Sequence, residues 1–339
     1  MKSGNSSRRT REATVPNASL LTPNEAVTRP LNPLDPVRCM VMDSPDRTNR
    51  ACTLAGVTGI KSYPISIVQA TRIGMLVRGR GSSAAVSIGK RVLALASARP
   101  RSGPGSWEIT HLFVSPSGEE HVPSLLNAIV RSAVEQRCQR VFLRLRREDS
   151  LVDIARKSGF FPKVPETLFA GVPAAPASGV PKSNDCDPLK GETPVDAHDL
   201  FRLYNAATPS EVRHAVGMTM DQWMSSRERL NRRSAAFVFR RQDVAIGSLR
   251  TSRVFSKGWL EASAHPDHQH RMPLMVRFGL LQLRSCRLTY CMLPDYQMDL
   301  RRYLVDSGFQ DISGYITLVK SMTVKVADDI RLRAAVPII

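Results

Sequence analysis

Apolar and polar positions alternate along the chain in two series that follow the same order. In the first series, apolar runs on either side of Gly89-Lys90-Arg91 predict a β-hairpin, and a helical spacing of apolar residues predicts an amphipathic helix packed on one side. Gly159 is typical of a helix C-terminus. The predicted elements are strands at 83–88, 92–98 and 107–114, a helix at 123–137, a strand at 141–145, a helix at 149–158 and a strand near 167–170.

The second series repeats this order after two opening helices. Those opening helices have only a weak counterpart in the first series, around 65–74, which suggests that the first copy is trimmed. The predicted elements are helices at 197–207 and 219–226, strands at 235–240, 244–251 and 259–264, a helix at 273–286, a strand at 288–293, a helix at 297–307 and a strand at 314–319.

The two series match at an offset of 150 through the loop and the helix behind it, and at an offset of 149 at Ser-Gly-Phe. The loop from Pro116 to Pro123 corresponds to the loop from Pro266 to Pro273, and Ser-Gly-Phe occurs near the end of each series. A period this long indicates a duplicated domain. Residues 171–192 are rich in Pro, Ala and Gly and predict a linker. The predicted organisation is a disordered extension at 1–35, a first domain at 36–170, the linker at 171–192, a second domain at 193–325 and a tail at 326–339.

Composition is that of a globular, strongly basic protein. The 339 residues are 42% hydrophobic and 23% charged, with a formal net charge of +18. Such a charge favours a polyanionic partner, either nucleic acid or a phosphate-bearing cofactor. Aromatic residues make up only 6%, and no basic block is interleaved with them. Nucleic-acid binding is therefore kept as an alternative and not preferred, since an arginine-biased composition also explains the charge.

Three classes of protein are disfavoured by the sequence. No apolar run reaches the roughly 18 residues of a membrane span. The first thirty-odd residues lack the apolar core of a secretory signal. The six cysteines are scattered, which indicates reduced thiols and a cytoplasmic protein instead of a disulfide framework.

Each series runs in the order of a hairpin, a central strand, a proline-bounded loop that leads into a helix, and then strand, helix and Gly-Phe. This order resembles that of the GNAT superfamily of N-acetyltransferases. The resemblance covers about residues 83–170 and 195–320, so the chain is similar to tandem members of that superfamily. It implies an α/β (α+β) fold with two tandem GNAT-like acyl-CoA N-acyltransferase domains, each a mixed central sheet flanked by helices. It also implies acetyl-CoA as the co-substrate and an amine as the acceptor.

The resemblance assigns the loop after the central strand to the pyrophosphate of acetyl-CoA. Family members read Arg/Gln-x-x-Gly-x-Gly/Ala there, because backbone N–H groups at a helix N-terminus bind phosphate. The first copy has Gly118 followed by Glu119 and Glu120, and is expected not to bind the cofactor. The second copy is basic but lacks glycine. The cofactor-binding residues expected there are His268, Gln269, His270, Arg271 and Met272.

Catalysis in the family needs a base for the amine and an acid for the leaving thiolate. The acid is often a tyrosine four residues before the Gly of Gly-Phe, where this chain has Ala155 and Leu304; Tyr303 is adjacent and becomes the candidate. Glu261, on the central strand of the second copy, is the candidate base. The equivalent first-copy residue His111 and the nearby Glu108 are weaker candidates, and a solvent-facing strand residue is the plain alternative for each.

Three functional hypotheses follow. The first is a GNAT-type transfer of an acetyl group from acetyl-CoA to a small-molecule or protein amine, carried out by the C-terminal half. The second is a catalytically inactive GNAT-fold binding or scaffold protein, since both cofactor loops depart from the family pattern. The third is a basic nucleic-acid-associated factor. A metal site at His265, His268 and His270 is disfavoured, because their spacing matches no known ligand motif.

Overall fold

The computed structural model describes most of both copies. The described residues are 25–32, 34–35, 38, 48–58, 81–173, 190–230 and 233–322. The predicted helix at 65–74, most of the linker and the tail at 326–339 lie outside the described residues. We refer to 48–171 as the first half and to 190–322 as the second half.

The strands form a single mixed sheet in the order β1-β2-β3-β4-β5-β12-β6-β11-β10-β9-β8-β7. Strands β4 and β10 occupy equivalent positions in the two halves and are the central strands of the repeat. The strands are β1 Val27–Pro30, β2 Ser82–Ile88, β3 Arg91–Pro100, β4 Ser106–Val114, β5 Arg140–Arg146, β6 Phe161–Gly171, β7 Lys190–Gly191, β8 Ser234–Arg241, β9 Val244–Val254, β10 Lys257–Ala264, β11 Leu288–Pro294 and β12 Gln310–Ser321.

Helices cover both faces of the sheet, and among those described none is long and apolar enough to cross a membrane. Each central strand is followed by a 3₁₀ helix, Pro116–His121 or Pro266–Arg271, and another 3₁₀ turn covers Pro194–Asp196. The α-helices are α1 Leu54–Thr58, α2 Val122–Glu135, α3 Leu151–Lys157, α4 Ala197–Ala207, α5 Ser210–Val216, α6 Met220–Ser226, α7 Met272–Gln282 and α8 Met298–Asp306.

The repeated apolar positions are the core contacts of α2 and α7, as their spacing predicts. Leu125 and Leu126 of α2 are fully buried, and Met275 and Val276 hold the matching positions in α7. Gly279 of α7 lies so close to the sheet that a Cβ there would come within 2.5 Å of a Leu260 methyl group. The helix approaches β10 closely because this position has no side chain.

The last strands of the two halves are exchanged. Strand β12 of the second half pairs with β5 of the first, while β6 of the first half pairs with β11 of the second. The two exchanged strands also pair with each other. The sequence predicts two copies of one sheet, and the structure confirms the duplicated α/β arrangement while joining both copies into one twelve-stranded sheet.

Two smaller expectations can be compared with the structure. Strand β1 falls within the segment 1–35, for which composition predicts disorder; instead Val27–Pro30 pairs antiparallel with β2 because that edge of the sheet offers free ladder positions. Among the described cysteines, Cys52, Cys138, Cys286 and Cys291 are free thiols.

Candidate functional site

Each half contains a pair of parallel strands that separate after a short contact. Strands β4 and β5 pair only from Ser106 to Glu108 on the β4 side, and β10 and β11 pair only from Lys257 to Trp259 on the β10 side. Beyond these residues each pair diverges toward its carboxyl ends. The sequence therefore builds two similar splits in one sheet, and the two splits can be compared directly.

The first split is filled by the chain itself. The Leu112 N–H of β4 donates to the side-chain oxygen of Asn49 at 2.8 Å, and the Asn49 amide donates to the Thr110 carbonyl at 2.8 Å. The Arg50 N–H donates to the Leu112 carbonyl at 2.9 Å. On the opposite side, the Cys52 N–H donates to the carbonyl of Arg144 on β5 at 2.9 Å. We call residues 49–52 the filling segment.

The acidic loop of the first half faces a cation of the filling segment. Arg50 binds Asp149 through two hydrogen bonds of 2.7 and 2.5 Å, and its guanidinium lies 3.9 Å from Glu119. A carboxylate at this position suits a neighbouring guanidinium and repels a phosphate. The charge of this loop is thus matched to the chain's own arginine.

The second split contains a cavity of about 240 Å³. One wall is polar and is formed by Ser248 and Arg250 of β9 with Glu261 and Ser263 of β10. The opposite wall comes from α4 to α6 and is mostly apolar and aromatic. Its side chains include Leu200, Leu203, Tyr204, Val212 and Trp223.

The main chain of β10 also faces this cavity. The pairing of β10 with β9 has no register shift. Because the His265 N–H donates to the Ile246 carbonyl, the odd-numbered residues of β10 are the ones that exchange hydrogen bonds with β9. In an antiparallel ladder the even-numbered residues then present N–H and C=O to the other side, toward β11. Ala262 is such a residue and lines the cavity. It is the counterpart of Leu112, whose main-chain groups are occupied by the filling segment.

Glu261 lines the cavity. Its side chain is 45% exposed, and its carboxylate accepts a hydrogen bond from Arg250 at 3.0 Å. Odd positions of β10 project onto the face covered by α4 to α6, whereas Leu260 and Ala262 pack beneath α7. The alternation of side chains along β10 therefore separates a face toward the cavity from a face toward the core.

The two relevant tyrosines lie in different places. Tyr303 on α8 packs against the core of the second half and does not line the cavity. Tyr296, which sequence reasoning missed, lines it just beyond β11. Burial raises the pKa of Tyr296 to about 12, against a hydrogen bond with Thr208 that acts in the opposite direction. The only sequence signal for Tyr296 is a tyrosine immediately after a buried strand.

The expected cofactor loop is a 3₁₀ helix whose own backbone groups are partly paired. The His268 N–H donates to the His265 carbonyl at 2.8 Å, and the Met272 N–H donates to the Gln269 carbonyl. Gln269 and Met272 line a smaller cavity of about 60 Å³ next to the first. The remaining three residues of the loop do not line it: His268, His270 and Arg271.

Three histidine side chains lie together at this loop: His265, His268 and His270. The His268 ring lies 5.9 Å from that of His265 and 6.0 Å from that of His270. Burial lowers the pKa of His268, and the neighbouring histidines and Arg241 lower it further. In the described part of the chain, no group of three or more His, Cys, Asp or Glu side chains has the geometry to hold a metal ion.

Comparison with known proteins places this architecture. No family model and no curated protein matches the chain. Among solved structures, a GCN5-related N-acetyltransferase from Sphaerobacter thermophilus aligns over 87% of this chain and 95% of its own, at 14% identity and a TM-score of 0.53. The chain has a tandem GNAT fold.

Two further structures align over similar lengths. A glucosamine N-acetyltransferase region of a fungal multi-domain GH3 β-N-acetylglucosaminidase aligns over 88% of this chain and 38% of its own, at 13% identity and a TM-score of 0.52. A tandem GNAT protein from the clavulanic acid biosynthesis pathway aligns over 88% of this chain and 98% of its own, at 14% identity and a TM-score of 0.48. Identities this low establish the GNAT fold alone.

In the second half, the split between β10 and β11 suits the thioester arm of acetyl-CoA better than the loop Pro266–Arg271 suits its pyrophosphate. The split between β10 and β11 is open, and the edge of Ala262 is available to a thioester arm. At the loop, no glycine lets the main chain approach a phosphate closely, and part of the backbone is already hydrogen-bonded. Binding of the pyrophosphate there would depend mainly on hydrogen bonds from the side chains of His268, His270 and Arg271.

Proposed function

We propose that the protein is an acyl-CoA-dependent N-acyltransferase, with acetyl-CoA as the natural donor, and that its reaction takes place at the second split. One contrast carries this proposal. The first split is closed by Asn49 and Arg50, whereas the equivalent split of the second half opens into a cavity lined by Glu261 and Tyr296. A duplicated fold that has one filled slot and one open slot supports a single reactive site per chain.

The proposed chemistry assigns one task to each group at the cavity. Glu261 accepts a proton from the amine, directly or through a water molecule, as the amine nitrogen attacks the thioester carbonyl. The main-chain N–H at Ala262 stabilises the negative charge that develops on the carbonyl oxygen. As the C–N bond forms and the C–S bond breaks, Tyr296 donates a proton to the leaving thiolate. A tyrosine with a raised pKa is protonated at neutral pH and can serve as this donor.

The cavity favours a small acceptor. Its volume of about 240 Å³ is below the range of roughly 300–1,000 Å³ typical of drug-sized ligands. An apolar and aromatic wall faces a polar wall that contains Glu261, so a compact amine with an apolar body suits both sides. We therefore propose a small primary amine as the acceptor in preference to a folded protein.

Titration of the full-length chain with acetyl-CoA tests the proposal. We expect one binding site per chain and release of free thiol when a small primary amine is added. Glu261→Gln should bind acetyl-CoA within about two-fold of the unmodified chain and lose roughly 100-fold in turnover, since a general base contributes about 10²–10⁴-fold. Glu211→Gln, on the exposed face of α5, is the matched control and should change neither quantity.

Absence of acetyl-CoA binding at millimolar concentration would refute the proposed reaction. That result would favour the alternative of an inactive scaffold, which the glycine-free loop and its internally bonded N–H groups support. The nucleic-acid hypothesis gains no comparable observation, because central arginines such as Arg101, Arg144 and Arg250 are paired with carboxylates.

A further inference from the structure

One residue of the second half is fixed by three groups of the first. Glu228 follows α6 and accepts a hydrogen bond from Arg144 at 2.6 Å; its carboxylate also lies 3.6 Å from Arg101. The Leu54 N–H completes the set at 3.4 Å. Burial alone would raise the pKa of Glu228, but the two arginines outweigh it and hold the pKa at about 2. Glu228 is therefore a buried anion anchored in the first half.

Arg144 is itself held rigidly at the centre of the sheet. It binds Glu166 of β6 through hydrogen bonds of 2.7 and 3.2 Å and donates to the Thr317 hydroxyl of β12 at 3.1 Å. These two strands are the exchanged strands. Because a buried ion pair is costly to break, the position of Glu228 is tied to the junction of the two halves.

Arg250 connects this anchor to the cavity. One of its guanidinium nitrogens donates to the Glu228 carbonyl at 2.7 Å, and the other donates to the Glu261 carboxylate at 3.0 Å. The guanidinium is planar, so fixing one nitrogen also orients the other. Glu261 is nearly half exposed, and a glutamate side chain in that setting has several accessible rotamers.

We propose that Arg250 is a positioning residue: anchored through Glu228 to Arg144 and Arg101, it holds the Glu261 carboxylate in the orientation used for proton transfer. This inference rests on the proposed function. It gives the first half a role in the chemistry of the second, although the first half's own split is filled. Residues of the first half thus hold Glu228, and through Arg250 they orient Glu261, the proposed base of the second half.

Arg250→Gln in the full-length chain tests the role. We expect kcat to fall by roughly 10- to 100-fold, the range in which a displacement of about 1 Å costs rate, while KM for acetyl-CoA stays within about two-fold. Arg250→Lys keeps one cationic donor and should recover part of the loss, about ten-fold over the glutamine variant. Arg240→Gln removes ion pairs with Asp196 and Asp199 outside the cavity and is the matched control.

The outcomes separate positioning from structural support. A kcat of Arg250→Gln within two-fold of the unmodified chain, or an equal loss in the Arg240 control, overturns the proposal. If the unmodified chain binds no acetyl-CoA, the proposed function fails by itself. In that case, crystal structures of the unmodified chain and of Arg250→Gln show whether Arg250 fixes the position of the Glu261 carboxylate. A Glu261 carboxylate that keeps its position in Arg250→Gln refutes the positioning role, and a displaced carboxylate supports it.

Discussion

At the scale of single residues, Glu228 predicts how stability depends on pH. Its folded-state pKa of about 2 lies below the ordinary value of 4.5, so its contribution is present above pH 4.5 and is lost as the pH falls toward 2. Glu228→Gln should lower the free energy of unfolding by about 3 kcal/mol at pH 7, because Arg144 loses one of its two carboxylates. Urea unfolding at pH 7 and pH 3 measures this. The gap between variant and unmodified chain should narrow at pH 3, and an equal gap at both would contradict the assignment.

The two tyrosines allow a direct comparison. Tyr296→Phe removes the hydroxyl that lines the cavity and should reduce acetyl transfer by roughly 100-fold, since a general acid contributes about 10²–10⁴-fold. Tyr303→Phe removes the same atom from a residue packed against the core and should leave the rate within about two-fold. Thiol release at saturating acetyl-CoA is the measurement. A loss confined to Tyr303→Phe would restore Tyr303 as the acid and exclude Tyr296.

Single residues also show how far the sequence could locate the site. Glu261 could be proposed because a charged residue between apolar neighbours on a strand marks the face opposite the core. Tyr296 and Glu228 lie in irregular segments, where no periodicity indicates a direction. The family's register falls on Leu304 and made its neighbour Tyr303 the candidate, yet both residues pack in the core of the second half and neither lines the cavity.

At the scale of elements, the filling segment predicts a stability effect. Asn49→Ala leaves the Leu112 N–H and the Thr110 carbonyl without their partners, and each buried unpaired group costs about 1–3 kcal/mol. We expect a loss of about 2–4 kcal/mol in thermal or urea unfolding. Asn127→Ala, at an exposed position of α2, should cost less than about 0.5 kcal/mol. Equal costs for the two variants would mean that Asn49 does not close the split.

Elements with regular spacing were predictable, and the connecting segments were not. The apolar repeat predicted α2 and α7, because each helix buries one stripe against the sheet. The loops before them have no periodic pattern, and both fold as 3₁₀ helices that begin at Pro116 and Pro266. The filling segment has no repeat partner and no periodic pattern, so its place between β4 and β5 follows only from tertiary contacts.

At the scale of the whole molecule, the repeat predicted duplication but not strand exchange. Strands β5 and β11 are equivalent in the two halves, and each pairs with one of the last strands. The apolar pattern of β6 and that of β12 are compatible with pairing to either β5 or β11. A pattern of buried positions predicts that a strand pairs with a neighbouring strand, but it does not indicate which of the two copies that neighbour belongs to. The exchange nevertheless decides how the cavity is built, since Glu166 of β6 and Thr317 of β12 both line it.

Strand exchange makes the halves dependent on each other, which a cleaved chain can show. With a protease site inserted between residues 174 and 189, the cleaved protein should elute as one species and keep its melting temperature within a few degrees, because β6 and β12 remain paired in the sheet. Residues 193–339 expressed alone lack β6 beside β11, and this unpaired edge should cause aggregation. Co-expression with residues 1–192 supplies the missing strand and should restore a folded complex. If the second half alone unfolds cooperatively as a monomer, it can close its own sheet without β6, and the predicted dependence of the halves on each other is wrong.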